Sequence, residues 1–186
     1  MTANRGYTLV ELLIVLAIAG ILLSIGLPKL ATVQQAALGD RVLKTLMGHM
    51  ALARSEAAKE GRIVTLCPSV DGVSCGDNWS RGSLLFSDRN ADRKLNQDDR
   101  VIAIRQGDLP HGSLSWRAFG NRRYLQFTPT GALRYQSGNF TYCDSTLNPQ
   151  LSRQLIVNGA GRVRVARDSN GDGIREDSND KPIDCS

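Results

Sequence analysis

The sequence predicts an α+β fold in which one long N-terminal helix packs on antiparallel β-sheet. Three observations support this fold. An apolar run at residues 7–27 is followed, as far as Lys59, by apolar residues at a spacing of about 3.6. Beyond Arg62 the chain offers only short β-rich segments separated by turn residues. One helix followed by such strands is typical of α+β domains.

The run at residues 7–27 has the properties of a membrane span. Only Thr8, Glu11 and Ser24 carry polar side chains in it. At about 1.5 Å per helical residue it covers a hydrocarbon core of about 30 Å. Residues 12–23 are apolar on every face, which argues against the alternative of a soluble amphipathic helix with Glu11 on its wet face. A carboxylate in such a span costs at least about 2.5 kcal/mol, so we expect Glu11 to have a function.

The helix is predicted to continue beyond the membrane. Pro28 is expected to bend it, because proline removes one backbone hydrogen bond, and Gly61 is a suitable residue to end it. Residues 7–28 therefore form a membrane half, residues 29–61 an amphipathic half, and residues 62–186 a β-rich region. The apolar face of the second half comprises Leu30, Val33, Ala37, Val42, Leu46, Met50, Ala53 and Ala57. Strands are predicted at residues 63–66, 79–87, 100–106, 113–119, 124–128, 133–135, 140–143, 153–157 and 162–167.

Four cysteines predict two disulfides. An even number of cysteines in an exported chain is typical of an oxidising compartment. Metal binding is the alternative, but the chain has no C-x-x-C pair, and its two histidines have no ligand-like neighbours. Four cysteines allow three pairings. The short loop favours Cys67–Cys75, which leaves Cys143–Cys185 to tie the C-terminus to the body.

Two acidic loops partly match a calcium loop. The loop at residues 88–99 has Asp or Asn at positions 1, 3, 5 and 12, but Arg93 where a glycine makes the sharp turn. The second loop has that glycine, but Asn179 stands at its twelfth position. The candidate ligands of the second loop are Asp168, Asn170 and Asp172. Because Asp and Asn also serve ordinary turns, calcium is the weaker alternative and we predict no metal.

No chemistry of an enzyme is evident in the sequence. It lacks an arrangement of Ser, His and Asp, or of Cys and His, that suits nucleophilic catalysis. Asp98 and Asp99 are adjacent, so on a strand they would point to opposite faces. We therefore predict a protein without catalytic activity and without a cofactor.

Positive charge is concentrated in the second half of the chain. The whole chain carries +5, and residues 100–167 alone contain ten arginines against two aspartates, a net charge of +8. Arginine binds phosphates and carboxylates through two parallel hydrogen bonds, so the bias favours an anionic partner. A general preference for arginine codons is the alternative.

Residues 162–165 alternate arginine and valine. On a strand, Arg162 and Arg164 share one face, about 6.6–6.8 Å apart, a spacing suited to successive phosphates of a nucleic acid. Arg122 and Arg123 are candidates to join them from a loop. The alternative is an ordinary solvated face whose arginines pair with the acidic tail at residues 168–184.

Residues 6–12, Gly-Tyr-Thr-Leu-Val-Glu-Leu, resemble the leader junction of type IV pilins and type II secretion pseudopilins. The resemblance implies that residues 1–6 are a leader, which a prepilin peptidase removes after Gly6 before it methylates the amine of Tyr7. It also implies that Glu11 pairs with the terminal amine of a neighbouring subunit. Tyr7 replaces the more frequent Phe and keeps an aromatic residue.

Segments of the β-rich region are similar to the FimT/FimU-like minor pilins, which are related to H-type pseudopilins (GspH). These segments are the Cys67-Pro68-Ser69 loop and residues 86–92, 140–144 and 161–164. The resemblance implies a pilin-like fold and a single-pass protein of the bacterial inner membrane, with a periplasmic domain that later enters an extracellular type IV pilus. It implies a role in priming pilus assembly or in forming the tip of the pilus, with other major and minor pilins as partners. An H-type pseudopilin of a type II secretion system is the alternative.

The FimT branch implies DNA binding during natural transformation through a Gly-Arg-x-Arg motif. The motif corresponds to Gly161, Arg162 and Arg164, with Arg167 a looser match. The acidic tail that follows repels phosphate, which argues against tight binding.

Overall fold

The computed structural model describes residues 8–109 and 111–185, with the backbone but not the side chains of residues 25–29, 31 and 32. Gly6, Tyr7 and the rest of the predicted leader lie outside the described residues. The side chain of Pro28, the predicted site of a bend, lies outside them as well.

The first element is a single helix, α1, at Leu9–Glu60. It confirms the long N-terminal helix that the sequence predicts. Gly61 follows it with φ of +64°, and the N–H of Arg62 donates to the carbonyl oxygen of Ala57 at 3.2 Å. This six-to-one bond and the left-handed glycine form a Schellman turn, which ends the helix.

Contacts divide the chain into two units, Met1–Ala37 and Leu38–Ser186. Within the described residues, no helical segment combines the length and the hydropathy that a membrane crossing requires. Apolar side chains near the start of α1 are more than half exposed. They are Leu9, Val10, Leu12, Leu13, Ile14, Val15, Leu16, Ile18, Ile21, Leu22 and Leu23.

The second unit contains two antiparallel sheets of four strands each. The strands are β1 (Val64–Pro68), β2 (Gly82–Ser87), β3 (Arg100–Gln106), β4 (Gly112–Ala118), β5 (Leu125–Phe127), β6 (Gly138–Asp144), β7 (Arg153–Val157) and β8 (Val163–Val165). The first sheet has the order β3-β2-β1-β5 and the second β4-β6-β7-β8, and every pairing is antiparallel. The predicted α+β class with antiparallel sheet is confirmed.

Two of the predicted strand segments are wrong in whole or in part. The strand at residues 133–135 does not form, because its first residue makes only an isolated bridge with Phe127, and Tyr135 has φ of +61°. A positive φ is incompatible with extended backbone. The segment at residues 79–87 becomes a strand only at Gly82, after a turn.

One hydrophobic core lies between the second half of α1 and both sheets. The helix contributes buried residues three and four apart, namely Leu43, Leu46, Met50, Ala53 and Ala57. The first sheet contributes Val64, Leu66, Leu85, Leu125 and Phe127, and the second Leu114, Phe140, Tyr142, Leu155 and Val157. The predicted face is confirmed from Leu46 to Ala57, whereas the predicted Leu30, Val33 and Ala37 are exposed and Leu43 is buried in place of Val42, which is half-buried.

Gly39 lets α1 approach the second sheet closely. A Cβ at this position would lie 2.9 Å from Cδ1 of Tyr142 and 3.0 Å from Cγ of Arg153. At the next residue, Asp40 accepts a hydrogen bond from Nε of Arg153 at 2.8 Å. Arg153 is only 5% exposed, and its guanidinium also donates to two nearby backbone carbonyls. The buried charge is therefore both paired and hydrogen-bonded, as a buried ion must be.

Both predicted disulfides are confirmed. Cys67 and Cys75 close the short loop after β1, with their Cα atoms 5.6 Å apart. Cys143 of β6 and Cys185 are joined over 42 residues, with Cα atoms 5.8 Å apart. The second bond attaches the C-terminal segment to the second sheet.

The close approach at Gly39 predicts opposite effects for two glycine substitutions in α1. Gly39→Ala should lower the free energy of unfolding by about 1 kcal/mol or more, since the new methyl group displaces the Tyr142 ring. Gly48 is the matched control, because nothing lies within 4 Å of a Cβ placed there. Gly48→Ala should raise the same free energy by about 0.5–1 kcal/mol through helix propensity. Chemical denaturation measures both, and stabilisation by Gly39→Ala would contradict the packing.

Candidate functional site

The turn before β8 explains the glycine of the predicted Gly-Arg-x-Arg motif. Gly161 is buried and has φ of +72°. A Cβ at this position would lie 2.6 Å from the carbonyl oxygen of Gly131. The conformation and the close approach both exclude a side chain, so the turn requires glycine.

Two residues that the motif does not reveal hold this turn in place. Asn158 accepts the N–H of Arg162 on its Oδ1 at 2.9 Å and the N–H of Gly161 on its backbone oxygen at 2.9 Å. Arg54 of α1 donates from Nη1 to the carbonyl oxygen of Gly161 at 2.7 Å, across 107 residues of sequence. The helix therefore fixes where β8 begins.

The predicted alternation along β8 is present. Arg162 and Arg164 are exposed, whereas Val163 and Val165 are half-buried and pack against the core. Arg167 is also exposed, just beyond the strand. Arg164 therefore lies on β8, which is an edge strand because it has a neighbour only on the β7 side, and Arg162 lies immediately before the strand.

The arginines predicted to act together differ in how they are engaged. In the described part of the chain, no ion pair reaches the side chains of Arg162, Arg164 or Arg167. Arg122 is half-buried and donates from Nη1 to the carbonyl oxygen of Tyr135. Arg123 is exposed and pairs with Asp77 at 3.0 Å. The β8 arginines are thus the more available of the five.

Part of the acidic tail borders the arginines of β8. A groove of about 490 Å³ is lined by Arg164 and Arg167 together with Glu176, Asp177 and Asp180. No described carboxylate approaches either arginine within ion-pair distance. The tail therefore lowers the positive potential along this groove without neutralising an individual guanidinium.

The second acidic loop brings three carboxylates together. Oxygens of Asp168, Asp172 and Glu176 lie within 4.8 Å of one another. Asp168 accepts the N–H of Gly173 at 2.8 Å, which with a second loop N–H lowers its pKa and keeps it ionised. Glu176 is not among the candidate ligands named from the sequence, and it stands at the ninth position, where a ligand often acts through a water. These bonds fold the loop by themselves, and calcium binding stays a prediction.

The first acidic loop is held by a buried carboxylate. Asp88 is fully buried and accepts hydrogen bonds from Thr65 at 2.6 Å and from Gln126 at 3.1 Å. It also accepts the N–H groups of Asp92 and Arg93. Because these hydrogen bonds hold the loop together, they explain why an aspartate stands at its first position without a role in binding calcium.

Glu11 takes part in the start of α1. Its Oε2 accepts the N–H of Thr8 at 3.3 Å, while the N–H of Glu11 donates to Oγ1 of Thr8 at 3.2 Å. This reciprocal pair is a capping box, which satisfies two N–H groups at the helix N-terminus. The pattern Thr-x-x-Glu is visible in the sequence, so this role was open to prediction from it.

Comparison with known proteins assigns the family. The family model for the type II transport protein GspH matches residues 43–161, and that for the prokaryotic N-terminal methylation motif matches residues 1–27. The chain belongs to the GspH family. Members are structural pilin-like proteins that interact with other pilins. The GspH match ends at Gly161, so the arginines of β8 and the acidic tail lie beyond it.

Individual relatives agree with this family. The pilin-like protein PilA1 of Thermus thermophilus is 35% identical over 166 residues, covering 87% of this chain and 98% of the relative. Two crystal structures of the type IV minor pilin FimU of Pseudomonas aeruginosa have the same fold, with TM-scores of 0.51 and 0.53 at 18% and 19% identity. They cover 69% of this chain and 92% and 88% of FimU.

This GspH-family domain also contains a cavity away from β8. It has a volume of about 170 Å³ and lies between α1 and the sheets, with His49, Ser83 and Arg105 among its lining residues. Arg105 donates to the carbonyl oxygen of Trp79 at 2.6 Å. Burial lowers the pKa of His49, and the charge of Arg105 lowers it further. We therefore expect His49 to be neutral in the folded protein at pH 7.

The lowered pKa of His49 predicts a loss of stability in mild acid. As the pH falls through about 6.5, the unfolded chain binds a proton at His49 that the folded chain does not, so the free energy of unfolding decreases. His49→Gln removes this group and should reduce the loss. Melting temperatures at about pH 7.5 and about pH 5.5 measure it. An equal decrease in wild type and variant would contradict the assignment.

Proposed function

We propose that this chain is a minor pilin of a type IV pilus. A prepilin peptidase cleaves it after Gly6 and methylates the amine of Tyr7. Residues 7–28 then hold it in the inner membrane as a single pass until it joins the pilus, where it primes or tips the filament. The main support is the continuity of the methylation motif at residues 1–27 with a helix whose apolar side chains are exposed.

The exposed apolar side chains of α1 require a cover. Eleven Leu, Ile and Val side chains between Leu9 and Leu23 are more than half exposed. Moving each one out of water contributes about 1.5–3 kcal/mol. In this proposal the bilayer covers them before assembly, and the helices of neighbouring pilins cover them afterwards.

Glu11 needs a second partner in such surroundings. The capping box satisfies its hydrogen-bonding capacity only in part and leaves its charge uncompensated. A negative charge surrounded by apolar helices is unfavourable unless it is paired. In this proposal the methylated amine of Tyr7 of a neighbouring subunit is the partner, so the charge of Glu11 sets the register of assembly.

An H-type pseudopilin of a type II secretion system is the alternative function. The family match concerns a type II transport protein, whereas PilA1 is pilin-like and FimU is a type IV minor pilin. The exposed helix and the methylation motif suit either filament. Deleting the gene distinguishes them, since loss of surface pili supports the first function and loss of protein secretion supports the second.

We further propose that the outer face of β8 binds DNA. The support is the exposure of Arg162 and Arg164, which no ion pair among the described residues engages. Guanidinium groups at alternate positions suit phosphates and carry no sequence information, so binding should be sequence-independent. The carboxylates across the groove keep it weak and strongly dependent on salt.

Two N-terminal substitutions separate processing from assembly. Gly6→Ala should leave an uncleaved precursor, because the peptidase requires the small residue before the cut. Glu11→Gln keeps the capping box, for which Gln serves as well as Glu, but removes the charge. It should be cleaved normally yet be absent from sheared pili. N-terminal sequencing and immunoblots of the pilus fraction measure both steps.

The two outcomes can fail independently. Normal cleavage of Gly6→Ala would remove the prepilin assignment. Normal incorporation of Glu11→Gln would show that the proposed pairing with a neighbouring amine is unnecessary, and would leave the capping box as the role of Glu11.

Replacing Arg162 and Arg164 with Gln should weaken DNA binding and lower the salt dependence. Loss of two phosphate contacts reduces the slope of log affinity against log salt by about 2. The matched control is the double variant Arg62→Gln and Arg89→Gln, which removes the same charge from exposed residues elsewhere. Fluorescence anisotropy of full-length protein in a neutral detergent measures the affinity for a labelled duplex. If the two double variants bind the duplex with equal affinity, the weakening arises from the change in net charge and not from the positions of Arg162 and Arg164.

A further inference from the structure

Two aromatic side chains lie exposed near the end of the second sheet. Phe119 is 82% exposed and Tyr135 is 79% exposed. The other aromatic side chains in the described part of the chain are buried or half-buried. Single exposed apolar side chains are ordinary, whereas two large exposed rings on neighbouring segments indicate a candidate contact surface.

The fold places these rings on neighbouring segments. The N–H of Phe119 donates to the carbonyl oxygen of Ser137 at 3.2 Å, which joins the end of β4 to the start of β6. Arg122 donates from Nη1 to the carbonyl oxygen of Tyr135, two residues before Ser137. A cation therefore lies beside the segment that carries the second ring.

The register of the sheet connects this end to the arginines of β8. Arg117 pairs with Asn139, Asn139 with Ile156, and Ile156 with Arg164. Residues directly opposite in antiparallel strands point to the same face, so these four side chains form one row across the sheet. Three strand spacings separate its ends by about 14 Å. The row contains no carboxylate.

The middle of this row offers an unused hydrogen-bond acceptor. Within the described residues, Oδ1 of Asn139 is buried and has no hydrogen-bond partner. A buried acceptor left unpaired is unfavourable, so a donor that reaches it is favoured. The N3–H of thymine and the exocyclic amines of adenine and cytosine are donors of this kind.

We propose that this face binds single-stranded nucleic acid, with unpaired bases stacked on Phe119 and Tyr135 and the backbone held by Arg162 and Arg164. The proposal rests on the proposed DNA binding of β8 and specifies its substrate. Exposed rings next to cations are the combination that takes unstacked bases, since every base presents a π-face. In a duplex the bases are stacked inside the double helix, so only a terminal base pair is available to stack on these rings.

The test compares two polymers and two variants of the full-length protein in a neutral detergent at low salt. The probes are a labelled oligothymidylate of about 20 nucleotides, longer than the site of a single-strand-binding fold, and a duplex of the same length. The ring variant is Phe119→Leu with Tyr135→Leu, which keeps apolar bulk and removes the π-faces. The control is Leu147→Ala, at a loop residue 60% exposed.

The ring variant should bind the oligothymidylate about five-fold more weakly or worse and the duplex with about the same affinity. The Leu147→Ala control should match wild type on both polymers. Circular dichroism and the melting temperature check that each variant is folded.

Three other results would overturn the inference. If the wild-type protein binds neither polymer, the proposed DNA binding by β8 is wrong, and this inference is wrong with it. If wild type binds both but the ring variant is unchanged on the single strand, stacking is wrong while DNA binding by β8 stands. If the ring substitutions weaken binding to both polymers equally, or reduce only the incorporation of the protein into the pilus, the rings serve the fold or a contact with another protein instead.

Discussion

The second half of α1 buries one face only, and both sheets close on that face. Leu43, Leu46 and Met50 lie in the same core as side chains of the first and second sheets. The first sheet has a second, smaller buried cluster of Cys67, Leu84 and Phe86, which the helix does not enter. Each buried Leu or Met contributes about 1.5–3 kcal/mol. Burial against the helix therefore holds both sheets in one domain. The position of β8 follows from it, because Arg54 of the same helix binds the turn before that strand.

Elements with a clear hydrophobic or charge periodicity can be predicted from the sequence. The loops and long-range contacts that join them mostly cannot. The helix follows from its 3.6-residue spacing, and the faces of β8 follow from the alternation of Arg and Val. Both disulfides follow from the short spacing of one cysteine pair. The strand predicted at residues 133–135 is wrong because its composition suits a strand while a left-handed Tyr135 interrupts the backbone. Local propensity cannot reveal such an interruption, which depends on the surrounding loops.

The candidate site is predictable in its arginines but not in their surroundings. Arg162 and Arg164 stand out in the sequence, whereas the contact of Arg54 with Gly161 joins residues 107 positions apart. The same holds for Asn139, whose place between Arg117 and Arg164 exists only once three strand pairs are in register. Charge counting is misleading for a similar reason. Arg153 adds to the positive total of residues 100–167, yet it is buried against Asp40 and is unavailable to a ligand.

The bond between Cys143 and Cys185 also bears on how the acidic tail responds to proteolysis. The tail leaves the second sheet after Val165 and returns to it through Cys185, so it is a closed covalent loop. A protease that cuts an exposed peptide bond between Asp168 and Asp180 leaves both fragments attached to the domain. Trimming of the C-terminus therefore does not remove the carboxylates that face Arg164 and Arg167. After such a single cut, the carboxylates are released only if the disulfide is also reduced, and the oxidising conditions in which disulfides persist oppose reduction.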